Sequence, residues 1–207
     1  MGSEMCIRDR LIMHVDADFG YVLDSKSTTG AYIAVIGPNS WIPIAWMLKK
    51  QSTVSLSSTE AEIVAMVKAL KHEGIPMMDL WERVLDVFAS GNPPPVLNVM
   101  EDNQATLHVC ARGRSTNLRH VSRTHRVNLD FLYDISLHSP HIYLQYVRTS
   151  SQAADIFTKG KFSSAQWKKL TTLCGIAPLT EVKTKATVTN RAEHNKDKSK
   201  KKSEATN

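Results

Sequence analysis

The spacing of short apolar segments constrains the fold of this chain more than any other feature. Three such segments, at residues 11–15, 31–36 and 41–47, follow one another with short connections. Short runs rich in β-branched and aromatic residues, separated by Gly, Pro or Asn, are typical of consecutive β-strands. Because Pro43 lacks a backbone donor, the third strand is expected at a sheet edge or a bulge. This part of the chain therefore predicts an antiparallel meander.

After the meander, helical and strand patterns alternate. Strands joined by helices favour parallel pairing, so we predict an α/β fold: a five-stranded mixed sheet, antiparallel in its first three strands, flanked by helices. Gly74 and Pro76 are expected to break or kink the first helix. The predicted order is helix 58–73, helix 77–88, strand 96–100, helix 104–110, helix 120–137, strand 142–147, helix 152–158 and helix 163–174.

The first helix begins with a recognisable signal. Ser57 followed by Glu60 has the form of a capping box, and Glu62 then lies in the first turn. At 100° per residue Glu62 falls at the edge of the apolar side, while Glu60 lies nearer the lysine side. Two interpretations are open. Glu62 points to solvent near the positive helix end, or it faces the core side, where a carboxylate requires a partner or a metal.

Four acids stand where strands or helices meet loops: Asp16, Glu62, Asp102 and Asp155. Strand carboxyl ends and helix amino ends gather at one rim of an α/β sheet. Carboxylates crowded there suit Mg²⁺ or Mn²⁺, and two such ions support phosphodiester hydrolysis. Among 20 Asp and Glu residues, four at element ends also arise without any site.

Five segments in order carry a resemblance to a known family: residues 15–20 (VDADFG), 26–30 (KSTTG), 56–62 (LSSTEAE), 101–105 (EDNQA) and 153–159 (AADIFTK). Together they closely resemble the ribonuclease H domain of Copia/Ty1-type LTR retrotransposon Pol polyproteins, over about residues 11–174. The resemblance implies a ribonuclease H-like fold, the strand and helix order given above, and hydrolysis of the RNA strand of RNA–DNA hybrids during reverse transcription.

The resemblance also implies roles for particular residues. Asp16, Glu62, Asp102 and Asp155 match the four catalytic carboxylates that bind two Mg²⁺ or Mn²⁺ ions. Asp16 and Asp18 share a strand face, so periodicity alone does not choose between them. The resemblance selects Asp16 and leaves Asp18 as a surface or turn acid.

Further residues are candidates for contacts with nucleic acid. Amides near the acids can bond sugar or phosphate oxygens, and basic side chains can bind phosphates. The alternatives are a helix cap for the amides and a solvated face for the basic cluster. The candidates are Asn103, Gln104, Arg123, His125, Arg126 and Lys159, with Arg119 and His120 in the same basic cluster.

Two segments depart from related patterns. Cellular ribonucleases H usually carry a His in the loop before the last catalytic Asp, but residues 147–151 contain none, so no catalytic His is predicted. The family's usual Arg-Thr-Lys-His reads here Arg123-Thr124-His125-Arg126, which leaves individual assignments in that segment open.

Charge and composition set outer bounds. The net charge is +6, and the residues from 181 onward contain 8 Lys+Arg against 4 Asp+Glu, so a nucleic-acid surface on the body must be a patch. Three cysteines without CxxC spacing predict a reduced compartment, and no apolar run is long enough for a membrane helix. We predict an unassigned head at 1–10, a ribonuclease H-like domain at 11–176, and a basic, disordered tail at 177–207.

The sequence thus predicts a metal-dependent hybrid ribonuclease whose isolated fragment need not be active. The open alternative is a noncatalytic, decayed nucleic-acid-binding module of the same fold. Expected partners are an RNA–DNA hybrid and the upstream reverse transcriptase and integrase parts of the same polyprotein, with no membrane. The expected location is intracellular, in cytoplasmic virus-like particles or the nucleus.

Overall fold

The structure, a computed structural model, describes residues 10–20, 26–37, 40–88 and 93–176. The compact unit that contains the described strands and helices ends at Gly175. The predicted tail at 177–207 and the predicted head, except Arg10, lie outside the described residues.

The sheet has five strands in the order β3-β2-β1-β4-β5. The strand β2 pairs antiparallel with both β1 and β3, whereas β4 pairs parallel with both β1 and β5. The predicted fold class is therefore confirmed. The edge position predicted from Pro43 is also correct, and the β2–β3 register shifts beside it. The strands are β1 (Arg10–Asp18), β2 (Thr28–Ile36), β3 (Trp41–Lys50), β4 (Val96–Glu101) and β5 (Ile142–Tyr146).

Seven α-helices are found in the described ranges, with short 3₁₀ turns at Thr116–Leu118 and Thr149–Ser151. None of these helices combines the length and apolar character that a membrane crossing requires. The helices are α1 (Ser58–Ala69), α2 (Ile75–Phe88), α3 (Gln104–Arg112), α4 (Val121–Thr124), α5 (Leu129–His138), α6 (Asp155–Thr158) and α7 (Ser164–Leu173).

Three predicted helices differ from the observed ones. The helical path does not break at Gly74 or Pro76, because a π-helical turn, Leu70–Gly74, joins α1 directly to α2. The helix predicted over 120–137 is divided into α4 and α5, and Arg126 between them has a left-handed φ of 54°. The helix predicted from 152 begins only at Asp155.

Helices cover both faces of the sheet. On one face, α1 is almost wholly buried against β1 and β2, and its apolar residues join the main core with α3 and α5. On the other face a smaller cluster forms around Tyr32, Ala34, Ala153 and Cys174. The Tyr32 hydroxyl donates to the Cys174 carbonyl at 2.8 Å, which ties the end of α7 to the sheet.

Close approach of α6 to the sheet depends on Gly30 in β2. A Cβ atom there would lie 2.7 Å from Thr158 Cγ2 and 3.1 Å from Phe157 Cβ. Such distances are too short for ordinary packing, so a side chain at this position would push α6 away from β1 and β2. Gly30 therefore fixes where α6 lies.

We expect Gly30→Ala to lower the free energy of unfolding by about 1–3 kcal/mol, because it overpacks the α6 contact. Gly160→Ala is the matched control, since a Cβ there would meet no atom within 4 Å, and it should change stability by less than about 0.5 kcal/mol. Urea unfolding of both variants measures the difference. Equal stability of the two would show that α6 does not depend on Gly30.

Candidate metal and nucleic-acid site

Three carboxylates from three separate elements converge. Asp16 lies within β1, Glu62 is the fifth residue of α1, and Asp102 lies directly after β4. Each offers a ligand oxygen, and these oxygens all lie within 4.8 Å of one another. Asp16 and Glu62 are buried, at 3% and 6% exposure, and Asp102 is partly exposed. Glu62 lies one residue beyond the first turn in which it was predicted, and it does not point to solvent, which decides between the two interpretations left open by the sequence.

Backbone pairing brings these acids together. The parallel register of β1 and β4 runs to His14 opposite Met100, so Asp16 and Asp102 follow at the same end of adjacent strands. On α1, Ser57 Oγ accepts from the Glu60 amide at 3.1 Å and fixes the start of the helix. A backbone hydrogen bond from Ala17 to the Glu62 carboxylate then joins α1 to β1.

Asp155, the fourth predicted carboxylate, lies beside this trio rather than within it. It is buried at the start of α6 and interacts electrostatically with Asp16 and Asp102, but it is outside the group of mutually close ligand oxygens. Its Oδ1 instead accepts from the Lys159 ammonium, which also lies 3.9 Å from Asp16 Oδ1. The Thr158 hydroxyl donates to Asp16 Oδ2.

Burial makes this concentration of negative charge costly. It raises the pKa of Asp16 to about 6, against the opposing effects of Lys159 and Thr158. Burial raises the pKa of Glu62 still further, with contributions from the charges of Glu101, Asp16 and Asp102. The pKa of Asp155 is raised by burial as well. A bound cation would relieve this repulsion.

The donor set fits a divalent cation. Glu62 Oε2 is buried and has no hydrogen-bond partner among the described residues, and it belongs to a side chain of the trio. A buried carboxylate oxygen without a partner is costly, and a hard oxygen donor of this kind is a suitable ligand for Mg²⁺ or Mn²⁺. Asp16, Glu62 and Asp102 would hold such an ion.

A fifth acid, Glu101, was not predicted to be near the site. It is fully buried, and its Oε1 accepts from the Asn103 amide at 2.9 Å. The sequence contained a signal for its burial. Side chains alternate between the two faces of a strand, so Glu101 shares the face of Leu97 and Val99, which point to the core. Burial raises the pKa of Glu101, and the Asp102 and Asp16 charges add to the effect.

Gln152 is a second unpredicted residue, and it joins three parts of the fold beside the acids. Its amide nitrogen donates to the carbonyl of Val15 at 2.8 Å and, more weakly, to that of Met100 at 3.4 Å. Its oxygen therefore faces His14 Nδ1, at 2.9 Å. Burial lowers the pKa of His14 to about 4, so the ring is neutral at pH 7. Gln152 thus anchors the segment that leads into Asp155.

Five of the six predicted nucleic-acid contacts fall into three groups. Gln104, Arg123 and Arg126 are exposed. Asn103 caps α3, because its side chain accepts from the Thr106 amide at 3.2 Å. Lys159 lies among the acids, as described above.

His125 does not fit a role in phosphate binding. It is buried, with Nε2 2.8 Å from Glu60 Oε1 and Nδ1 2.7 Å from Thr53 Oγ1. Both ring nitrogens therefore face internal partners. His120 Nε2 approaches the same Glu60 oxygen at 3.2 Å, so the two histidines attach the basic segment to α1.

Glu60 does not complete the predicted capping box, because its carboxylate accepts from the Leu56 amide and not from the amide of Ser57. It is 1% exposed rather than on the solvent side, and its Oε2 accepts from the Leu56 amide at 2.9 Å while Oε1 faces the two histidines. Helical phase alone placed Glu60 toward the lysines. The segment that covers it, residues 120–125, comes from far along the chain and could not be placed from local periodicity.

The fold is ribonuclease H-like, as the sheet order and the strand directions show, and the acids lie at one end of its central strands. In sequence, the chain is 28% identical over 145 residues to the retrovirus-related Pol polyprotein from transposon RE2 of Arabidopsis thaliana. The match covers 70% of this chain and 9% of that polyprotein. The predicted resemblance to a segment of a retrotransposon Pol polyprotein is thereby confirmed. No protein-family model matches the chain.

Among solved structures, the chain is similar to LC11-RNase H1 isolated from compost, with a TM-score of 0.47, 10% identity, and coverage of 72% of this chain and 92% of that one. It is also similar to an N-terminal RNase H domain from Mycobacterium tuberculosis, with a TM-score of 0.44, 10% identity, and coverage of 79% and 98%. The fold class rests on the topology of the sheet.

The two glutamates of α1 should respond in opposite ways to neutralisation. In EDTA, we expect Glu60→Gln to lower the free energy of unfolding by about 1–3 kcal/mol, because the amide places an NH2 group at one of the two positions where Glu60 has oxygens facing the Leu56 amide and His125. Glu62→Gln should raise it, because the Gln side chain carries no charge to be buried.

The pH dependence follows from the same difference. The folded-state pKa of Glu62 lies above its ordinary value of 4.5, so the folded state binds the proton more tightly and its stability falls as pH rises above 4.5. The advantage of Glu62→Gln over wild type should therefore be larger at pH 8 than at pH 5 in urea unfolding. A Glu62→Gln variant less stable than wild type in EDTA would contradict the cost of burying this acid.

Proposed function

We propose that this chain hydrolyses the RNA strand of RNA–DNA hybrids in a reaction that requires divalent metal. The observation that carries the proposal is the convergence of Asp16, Glu62 and Asp102 within 4.8 Å, with Asp155 beside them. These are the four acids that the family motifs selected from sequence, and they come from four separate elements. The match to a retrotransposon Pol polyprotein supports the same function.

The acids would hold two Mg²⁺ or Mn²⁺ ions, which when bound lower the pKa of an attacking water and stabilise the leaving oxygen. The protein's own contribution is rigidity. Glu62 is held by the cap of α1 and by Ala17, and Asp16 is held by Thr158 and by the strand itself. Asp155 is oriented by the Gln152 network on one side and Lys159 on the other.

The basic segment before α5 is suited to phosphate contacts. Arg123 and Arg126 are exposed, while His125 and Val127 between and beside them are buried. Arg126 is held in the left-handed region, at φ 54°, a conformation that costs a non-glycine residue about 1–2 kcal/mol. Strain retained at an exposed arginine favours a role in binding over one in folding.

The substrate assignment uses residues at the end of β4. Gln104 is exposed one residue beyond the cap of α3, close in sequence to Asp102. Its amide would contact the sugar of the strand being cut, where a 2′-hydroxyl distinguishes RNA from DNA. Asn103 would contribute its amide nitrogen, because its oxygen accepts from Thr106.

The chain spans about 9% of the length of the Pol polyprotein it matches. We therefore propose that it acts as the ribonuclease H part of a longer polyprotein, next to reverse transcriptase and integrase parts. Reverse transcription supplies its substrate, because copying RNA into DNA produces a hybrid whose RNA strand must be removed. The corresponding location is intracellular, within virus-like particles or the nucleus.

Cleavage of an end-labelled RNA–DNA hybrid tests the function. Wild type with Mg²⁺ should cut the RNA strand, and EDTA should abolish the reaction. Asp102→Asn should lower the rate by about 100-fold or more, because a metal ligand is lost. Asp18→Asn is the matched control, since Asp18 is an exposed acid at the end of the same strand as Asp16, and it should retain the wild-type rate.

Three outcomes are distinguishable. Cleavage that Asp102→Asn removes and Asp18→Asn retains supports the enzyme. Hybrid binding without cleavage in wild type would instead support the noncatalytic nucleic-acid-binding module. Equal cleavage by wild type and Asp102→Asn would indicate a contaminating nuclease and would remove the support for this site.

Arg126→Gly separates the folding and binding roles of this residue. Because glycine accepts φ 54° without strain, the variant should be more stable than wild type by about 1 kcal/mol. Loss of one phosphate contact should weaken hybrid binding and reduce the slope of log affinity against log salt by about 1. Arg126→Lys, which keeps the charge, should retain the slope. Unchanged hybrid affinity in Arg126→Gly would exclude the contact.

A further inference from the structure

The lysine that follows α6 occupies a position within the acidic cluster. Lys159 Nζ donates to Asp155 Oδ1 and lies 3.9 Å from Asp16 Oδ1, so one ammonium group bridges two of the four acids. The i, i+4 spacing on one helical turn brings Lys159 over Asp155. Its side chain is 43% exposed, so the contact is at the open side of the cluster.

The cluster therefore has two unlike halves, with Asp16 belonging to both. In one half, Asp16, Glu62 and Asp102 place ligand oxygens within 4.8 Å of one another, and Glu62 Oε2 has no partner. In the other half, Asp155 does not belong to this group and already has a positive charge beside it. Among the described residues, the Lys159 ammonium therefore lies beside the second half of the cluster.

Resting on the function proposed above, we infer that Lys159 occupies the place of the second metal ion. The free protein then binds one divalent ion tightly, between Asp16, Glu62 and Asp102. A second ion binds beside Asp155 only when it displaces the Lys159 ammonium. Displacement is unfavourable by itself, because the incoming ion must shed water and must also separate an ion pair in a partly buried position.

The surroundings of Lys159 indicate what would favour displacement. The residue lines a cavity of about 410 Å³ next to Asp155, together with Lys161, Lys169, Thr149 and Gln166. The positive charges of Lys161 and Lys169 disfavour movement of the Lys159 ammonium into this cavity unless an anion is bound there. A phosphate group of a bound nucleic-acid strand supplies that charge. Binding of the second ion is thus coupled to binding of the nucleic-acid substrate.

Isothermal titration calorimetry without nucleic acid tests the inference directly. Mg²⁺ and Mn²⁺ are titrated into wild type, Lys159→Met and Lys161→Met. Wild type should bind one ion tightly and a second at least about tenfold more weakly. Lys159→Met, which keeps the length of the side chain but removes the charge, should bind the second ion about tenfold more tightly than wild type. Lys161→Met, from the same cavity, should resemble wild type.

Two results would overturn the inference: two ions of equal affinity in wild type, or a second ion bound no more tightly by Lys159→Met. A further variant covers a failure of Lys159→Met to fold. Asp155→Asn should leave the affinity for the first ion within about threefold of wild type, and a larger loss would show that Asp155 belongs to the first site.

These measurements contain no substrate, so they are independent of cleavage. The expected binding pattern in a chain that does not cut hybrids would reject the proposed function and leave the role of Lys159 standing. Hybrid cleavage by a chain whose second-ion affinity does not depend on Lys159 would support the proposed function and reject the role of Lys159.

Discussion

Buried negative charge is the constraint on which the rest of this structure depends. Asp16 and Glu62 are almost fully removed from solvent, and Glu101 is completely buried behind them. Carboxylates in such a place are tolerated only with hydrogen bonds, cations or protons. Thr158 donates a hydrogen bond to Asp16, and Lys159 supplies a nearby cation. The raised pKa of Glu62 favours a bound proton on that side chain. The surrounding elements supply the groups that offset the repulsion among these carboxylates.

The helix α1 illustrates how the fold bears that cost. Its first five residues include two buried glutamates in different surroundings. Glu60 has a backbone donor and two histidine rings within 3.2 Å of its carboxylate, whereas Glu62 faces the charges of Glu101, Asp16 and Asp102. Glu60 anchors the start of α1 through these contacts, and this anchoring keeps Glu62 in place among the other acids. The contacts of Glu60 therefore help to hold Glu62, two positions later, in an environment that is unfavourable for its charge.

Much of the fold and part of the site could be predicted from sequence, because the relevant signals are local. Strand periodicity, the Ser57 cap and the acids at element boundaries all lie within short windows, and the family motifs selected Asp16 over Asp18. Other features depend on contacts between distant segments. The burial of Glu60 by residues 120–125, and the link from Gln152 to His14, join residues about 60 and 138 positions apart. No local pattern encodes such contacts.

The position of Lys159 depends both on local sequence spacing and on contacts between distant segments. Its distance from Asp155 follows from one turn of helix and is local, but its approach to Asp16 requires α6 to lie close against β2, which the absence of a side chain at Gly30 permits. A glycine in one strand thus allows a lysine on a distant helix to neutralise an aspartate in the adjacent strand. A wider spacing would leave Asp16 without this cation, and the metal-free cluster would carry more uncompensated charge.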